Sequence, residues 1–172
     1  LDNPAIAGTV YEEGVRAIHE TSRGLALFVD SYRKLAELQE PVLMEIPLAA
    51  FVERIRTLYP DLEWHISIPL AVTMFTDENM LRQMLINLVK NACEAGATAM
   101  DVRWNKVLWI SNNGAPIPAD VEREIFVPFF TTKKNGSGIG LSLSRQMMVR
   151  QGRDLCLAER PVPGFQVTFI VS

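Results

Sequence analysis

The sequence predicts an α+β fold, a two-layer α/β sandwich with a mixed, mostly antiparallel sheet, preceded by a long helical arm. Three observations carry this. Residues 9–40 hold an apolar seam close to the coiled-coil period. Beyond Pro41, amphipathic stretches of helical period interleave with short stretches of alternating polarity, the pattern of helices packed on a sheet. A chain of 172 residues that is 48% hydrophobic and 22% charged has the apolar mass for one core plus an appendage. The expected organisation is a partial helical region over 1–45 and a folded domain over 46–172.

In the arm, Tyr11, Ile18, Leu25 and Tyr32 are spaced by sevens, with Val15, Phe28 and Leu35 at the interleaved positions of the same seam. Pro41 is the expected stop, because it lacks a backbone donor and clashes with the preceding turn. One helix cannot bury such a stripe alone, so an antiparallel partner or a second subunit is expected. A shorter amphipathic helix is expected over Leu48–Tyr59, between Pro47 and Pro60, followed by a half-buried strand at Leu62–Ile68 with His65 on its polar side.

Asp77 to Gly96 is the strongest helix signal. Asp77 suits an N-cap, Gly96 suits a stop, and Met80, Leu81, Met84, Leu85, Leu88, Val89 and Ala92 form one broad apolar face. The opposite stripe carries Gln83, Asn87, Lys90, Asn91 and Glu94. Asparagine costs a helix roughly 0.6 kcal/mol relative to alanine, so two of them one turn apart call for a reason. Two strands, Ala99–Trp104 and Val107–Ser111, should follow with a tight turn at Asn105 and Lys106. A long irregular stretch, Asn112–Gly140, is expected to hold a short helix near Asp120–Ile125. Loops of that length in small domains usually carry function. A helix over Leu141–Gln151 and strands over Leu155–Ala158 and Phe165–Val171 complete the prediction.

The composition excludes several classes. A net charge of −3 gives no polybasic surface for nucleic acid or anionic lipid. No apolar run approaches the ~20 residues that span a bilayer, and no signal peptide is visible, so a cytoplasmic domain without membrane contact is expected, possibly belonging to a membrane-bound sensor. Cys93 and Cys156 have no C-x-x-C spacing and read as reduced, buried thiols. His19 and His65 stand far apart with no cysteine cluster, which argues against zinc. The chain starts at Leu1 rather than methionine, as expected of a fragment.

Two stretches carry chemistry. In GSGIGLSLSRQMM, Gly136, Gly138 and Gly140 remove every second side chain just before a helix. Backbone N–H groups there can approach an anion closely, and the helix terminus adds partial positive charge, so a phosphate chain is the natural ligand. Neither a P-loop nor a Rossmann turn fits the spacing. Lys133 and Lys134 lie just upstream, within reach of phosphate oxygens. In ISNNGAPIP, Ile110–Pro118, a strand runs into a turn. Asn112 could offer its carbonyl to a nucleobase amine, and Gly114 would let a flat ring lie on the backbone.

Taken in order, QMLINLVKNACEA, ISNNGAPIP, IFVPFFTTK and NGSGIGLSLSRQ resemble the N, G1, F and G2 boxes of the histidine-kinase ATP-binding domain, within the gyrase, Hsp90, histidine kinase and MutL superfamily. The resemblance covers about Leu62 to Ser172. It implies ATP lying between the N-box helix and a mobile lid. Asn91 would ligate Mg²⁺ with support from Asn87, and amide oxygens suit this hard cation. Asn112 and Gly114 would bind the adenine, and Ile117 and Phe130 would wall it. Lys90, Glu94, Lys133, Gly136, Gly138, Ile139, Gly140 and Leu141 would complete the ATP site. The arm resembles the second helix of the family's dimerisation and phosphotransfer hairpin, and Ile18–Leu38 is most similar to nitrogen-regulation sensor kinases.

The implied reaction is transfer of the ATP γ-phosphoryl to a histidine on a first helix outside these residues, then relay to a response-regulator aspartate, in a homodimer. Three departures stand out. Asn112 replaces the family's aspartate, which should weaken the adenine bond by roughly 1 kcal/mol. Pro116 replaces a second glycine. No phosphoacceptor box is present: His19-Glu20 resembles one superficially, but it lies where the family has its second helix. The competing readings are an ATP-driven clamp of the same superfamily and a decayed nucleotide site serving as an interaction module. Clamps typically carry a glutamate where this chain has Asn87, and a carboxamide cannot act as a general base at neutral pH.

Overall fold

The computed structural model describes residues 11–19, 22, 26, 29, 33, 38–133 and 136–172, and the chain divides into two compact units, Leu1–Glu37 and Leu38–Ser172. The first unit is helical over residues 11–19 (α1) and again at 22, 26, 29 and 33. Its Tyr11, Val15 and Ile18 are exposed, as a stripe with no partner must be. Leu25, Phe28, Tyr32 and Leu35 of the seam, with Glu20, lie outside the described residues. Residues 38–40 are not helical, so the arm helix ends before Leu38 rather than running to Pro41.

The second unit follows the order β1 (Met44–Pro47), α2 (Leu48–Arg56), β2 (Glu63–Ser67), β3 (Thr73–Thr76), α3 (Glu78–Glu94), β4 (Ala99–Asn105), β5 (Val107–Asn112), α4 (Gly140–Val149), β6 (Leu155–Leu157) and β7 (Val167–Val171). Five strands form the main sheet in the order β2-β4-β5-β7-β6. Only β2 and β4 pair in parallel; the other three pairings are antiparallel. The α/β sandwich with its mixed sheet is therefore as expected. At the β4–β5 turn Lys106 takes a left-handed φ of 62°.

Helix α3 buries the same seven apolar side chains that the helical period selects, from Met80 to Ala92. Full burial of each large one contributes about 1.5–3 kcal/mol, which makes α3 the main link between the sheet and the other helices. Phe51, Val52 and Ile55 of α2 and Met147 and Met148 of α4 are buried with it. The core-facing strand residues alternate, with Val102 opposite Ile110 and Ile110 opposite Phe169. On the other sheet face, Arg103 grips Asp101 through two bonds of 2.6 and 2.7 Å. There too Thr168 Oγ1 donates to Ser111 Oγ at 2.9 Å and accepts from Val162 N at 3.0 Å.

Four expectations need correction. A second, two-stranded antiparallel sheet joins β1 to β3, pairing Ile46 with Met74; each strand is too short to show a period. The segment near Asp120–Ile125 is a string of turns rather than a helix, closed by Val121 N to Pro118 O, Glu124 N to Val121 O and Val127 N to Glu124 O. These three-residue bonds never extend into an α-helical ladder. Cys93 is exposed rather than buried, because it falls on the polar side of α3; both cysteines are free, and burial pushes the Cys156 thiol up. Finally, α2 ends at Arg56 rather than Tyr59.

Candidate functional site

The site is built on the polar stripe of α3. Its N-terminus is fixed first: Asp77 Oδ1 accepts from Met80 N at 2.9 Å, and Oδ2 accepts from Val42 N at 2.7 Å. Gln151, just beyond α4, reaches the same end. Its Oε1 accepts from Thr76 Oγ1 at 2.6 Å and Asp77 N at 2.7 Å, while Nε2 donates to Met147 O at 2.9 Å. The two helices that flank the site are thereby clamped together by one side chain.

Between two and three turns further along, Asn87 Nδ2 donates to Ser144 Oγ of α4 at 3.0 Å. Gly140, the first residue of α4, sits against this amide: a Cβ there would lie 2.5 Å from Asn87 Oδ1. The second asparagine meets the loop before α4. Lys133 Nζ donates to Asn91 Oδ1 at 3.0 Å and pairs with the Glu94 carboxylate. The two asparagines that weaken the helix in isolation thus anchor α4 and the lid lysine.

The glycine series also serves the packing of the loop itself. A Cβ on Gly136 would lie 2.4 Å from Thr131 Oγ1, and one on Gly138 would lie 2.4 Å from the Phe129 backbone carbon. Gly138 holds φ at 66°, Phe129 mirrors it at 68°, and Phe129 N donates to Gly138 O at 2.8 Å. The lid is closed at its base by these two residues, and the missing side chains serve its own packing. Ahead of it, Phe126 lies edge-on to Phe169 at 6.3 Å and under the Arg145 guanidinium at 5.3 Å. Arg145 also forms two bonds with Asp154, at 2.8 and 3.0 Å, which hold the Asp154 carboxyl below its usual range. Gln151 lies outside every sequence motif, while Phe126, Ser144 and Arg145 lie within the F and G2 stretches but are not singled out there.

The strand-end turn forms the third part. Asn112 ends β5 on the core face, opposite Met100 and Val167, and is buried. Its Oδ1 accepts from Gly114 N at 3.0 Å. A Cβ at Gly114 would sit tightly against Asn112 Oδ1 at 3.0 Å and Ala95 Cβ and O at 3.1 Å. Ala115 N then donates to Ala95 O at 2.9 Å, which ties the turn to the end of α3. Asn113 caps the adjoining backbone at Thr98 N and Ala99 N.

The other sequence-selected residues fall around this frame. Ile139 is buried as the residue before α4, while Leu141, Ile117 and Phe130 are half-buried. Lys90 is exposed, and Lys134 lies outside the described residues. The arrangement offers cations and backbone donors above α3 and a flat, unsubstituted turn at its end, an array suited to a phosphorylated planar ligand.

A family model for the histidine kinase-, DNA gyrase B- and HSP90-like ATPases matches residues 76–172, more than half of the chain and every part of this site. The chain belongs to this ATPase family. Within it, the chain is similar to the signal transduction histidine-protein kinase AtoS of Escherichia coli K12, at 34% identity over 54% of this chain and 16% of AtoS. It is also similar to the sensor protein kinase PilS of Pseudomonas aeruginosa, at 26% identity over 88% of this chain and 32% of PilS. The chain thus spans a third or less of these curated relatives. Among solved structures, the catalytic domain of the histidine kinase ThkA matches with a TM-score of 0.64 and 27% identity, over 76% of this chain and 93% of that one. The ATPase family accounts for the layered fold and for an ATP-binding domain built around α3. Among the described residues no helix is long and apolar enough to cross a membrane.

The family implies a magnesium ion, and the residues fit one. Asn91 Oδ1 already carries a cation, the Lys133 ammonium, with the Glu94 carboxylate alongside. No cluster of three acidic or imidazole ligands occurs among the described residues, so a cation here would depend on amide oxygen, water and substrate phosphate, the donor set that suits magnesium.

Proposed function

We propose that this domain binds Mg-ATP on the polar face of α3 and presents the γ-phosphoryl group to a histidine on another helix of a two-component sensor kinase, for relay to a response-regulator aspartate. The observation that carries the reading is the Lys133 ammonium seated on Asn91 and Glu94, a lid cation resting on the polar stripe of α3. Asn91 would hold the ion with support from Asn87, and the ion would neutralise charge on the phosphate oxygens. Lys133 supplies an ammonium to the same oxygens, and the N-terminus of α4 supplies backbone donors. Gly114 and Ala95 leave a flat floor for the base.

Phosphoryl transfer asks chiefly for positioning and charge neutralisation, and these residues provide both. Hydrolysis asks for a base on the attacking water. The residue nearest that role is Asn87, a carboxamide already bonded to Ser144, so it has no proton-accepting function. This favours transfer to a supplied nucleophile over a clamp ATPase.

The test is calorimetry with Mg-ATP on the 172-residue chain, followed by incubation with a separately prepared phosphoacceptor hairpin. Binding, with acid-labile phosphate on the added hairpin and none on the chain itself, is expected. Acid-labile phosphate on this chain alone, or acceptor-free turnover lost in Asn87→Ala, would refute the assignment.

A further inference from the structure

The lid has two ends, and they are held in different ways. Its C-terminal end is fixed by the chain, because Ile139 leads directly into α4. Its N-terminal end begins at Phe126, which has no such neighbour in sequence. The Phe126 ring lies edge-on to Phe169 of β7 at 6.3 Å, and the Arg145 guanidinium lies over it, 5.3 Å from the ring centre. Arg145 belongs to α4, five residues beyond Gly140. Both ends of the lid are therefore attached to one helix, at points about 7.5 Å apart along its axis. The bond from Phe129 N to Gly138 O joins the two legs of the lid to each other, but on its own it would let them swing together about Ile139. The contact at Phe126 supplies the second point that stops the swing.

That second point depends on a guanidinium. Arg145 Nε donates to Asp154 Oδ1 at 2.8 Å, and its Nη2 donates to Asp154 Oδ2 at 3.0 Å. Two bonds to one carboxylate fix the orientation of the group, where a single bond would leave it free to turn. A lysine ammonium is a point charge and cannot be held in this way. The Arg145 and Asp154 side chains are both well exposed, so their pair adds little to the core. Its use lies in where it holds the charge, over the ring at the root of the lid.

We propose that Arg145 is a positioning residue for the lid: by holding Phe126 against α4 it keeps the lid from swinging about Ile139, and so keeps Lys133 on Asn91 and Glu94. This rests on the nucleotide reading above and deepens it, since Arg145 acts on the nucleotide only through the lid.

The experiment is limited trypsin digestion of the intact chain, read by mass spectrometry, beside calorimetry with Mg-ATP. Cuts after Lys133 and Lys134 report the lid, and the cut after Lys106, in the β4–β5 turn, reports the rest of the domain. In Arg145→Lys the lid cuts should run about two- to fivefold faster than in wild type, the size of a cation–π contact at a half-exposed site, with the Lys106 cut unchanged. Mg-ATP affinity should fall by a similar factor. Phe126→Leu keeps an apolar group against Phe169 but offers no ring face, and should have the same effect on the lid. The double variant should be cut no faster than the faster single variant, because both changes remove one contact. Lid cuts accelerated less than about twofold in Arg145→Lys, effects that multiply in the double variant, or equal acceleration at Lys106 would each overturn the proposal. A wild type that binds no Mg-ATP would overturn the nucleotide reading instead, with the cutting ratios still deciding whether Arg145 holds the lid.

Discussion

Gly138→Ala separates a lid that is packed for binding from one that merely links two elements. The added Cβ would lie 2.4 Å from Phe129 C, 2.6 Å from Phe129 O and 2.7 Å from Phe130 O. All three are backbone atoms, so no rotamer change relieves the overlap. The left-handed φ of 66° adds roughly 1–2 kcal/mol for alanine. Relief requires the lid base to open, which breaks the 2.8 Å bond from Phe129 N to Gly138 O, a further loss of about 1 kcal/mol. The local cost is thus about 2–3 kcal/mol, and opening also releases Phe129 from its own left-handed φ of 68°.

That cost should appear in binding rather than in folding. Phe129, Thr131, Thr132 and Lys133 are exposed, so the open lid leaves the α3 core intact. Mg-ATP affinity should fall about 10- to 100-fold by calorimetry, because 1.4 kcal/mol is tenfold. The melting temperature should move by less than about 2 °C, against a much larger fall for Leu85→Ala at a fully buried position. Affinity within twofold of wild type would refute the packed lid. A melting-temperature fall matching that of Leu85→Ala would show that the Phe129–Gly138 closure belongs to the core.

Three further outcomes are expected. Lys133→Met should lower Mg-ATP affinity by about tenfold, whereas Glu94→Gln should change both affinity and stability little, because the Lys133–Glu94 pair is about half exposed on each side; calorimetry and thermal melts on the two variants check this. Gln151→Ala should destabilise the domain by about 1–3 kcal/mol in urea unfolding, since it leaves Thr76 Oγ1 and Asp77 N without their shared acceptor. The Arg145 guanidinium lowers the Asp154 pKa in the folded chain, so Asp154 contributes stability above its unfolded value near about 4. That contribution fades as pH falls through the lower folded value; the stability gap between wild type and Asp154→Asn should be small but measurable at pH 7 and should close in unfolding curves taken below about pH 3.

The parts of the fold that could be read in advance are those written in one stretch of chain. Helix α3 shows its cap at Asp77, its seven buried side chains and its polar stripe within twenty residues, so period and capping chemistry agree. The β4–β5 hairpin is similarly local. Strands β1 and β3 were illegible because each has four residues, and Met44 and Phe75 leave apolar surface exposed where alternation would put polar groups. The turns over Asp120–Ile125 imitate a helix in composition but close only three-residue bonds. Exposure of Cys93 follows from its position on the stripe of α3, where residue type is a poorer guide than helical phase.

In the candidate site the motifs located the residues but did not reveal what each one touches. Gly140 reads as a place where phosphate meets backbone, yet its missing Cβ makes room for Asn87; Lys133 reads as a phosphate ligand, yet it also holds Asn91. Both facts depend on pairings across about forty residues or more, which no local pattern encodes. Asn112 is the sharpest case. From the sequence its amide has two orientations and its carbonyl is free to face the base. One backbone bond from Gly114 fixes which way the amide is turned, with Oδ1 facing the turn. The decisive quantity is the direction of one hydrogen bond, and that is set by a neighbour two residues along the turn.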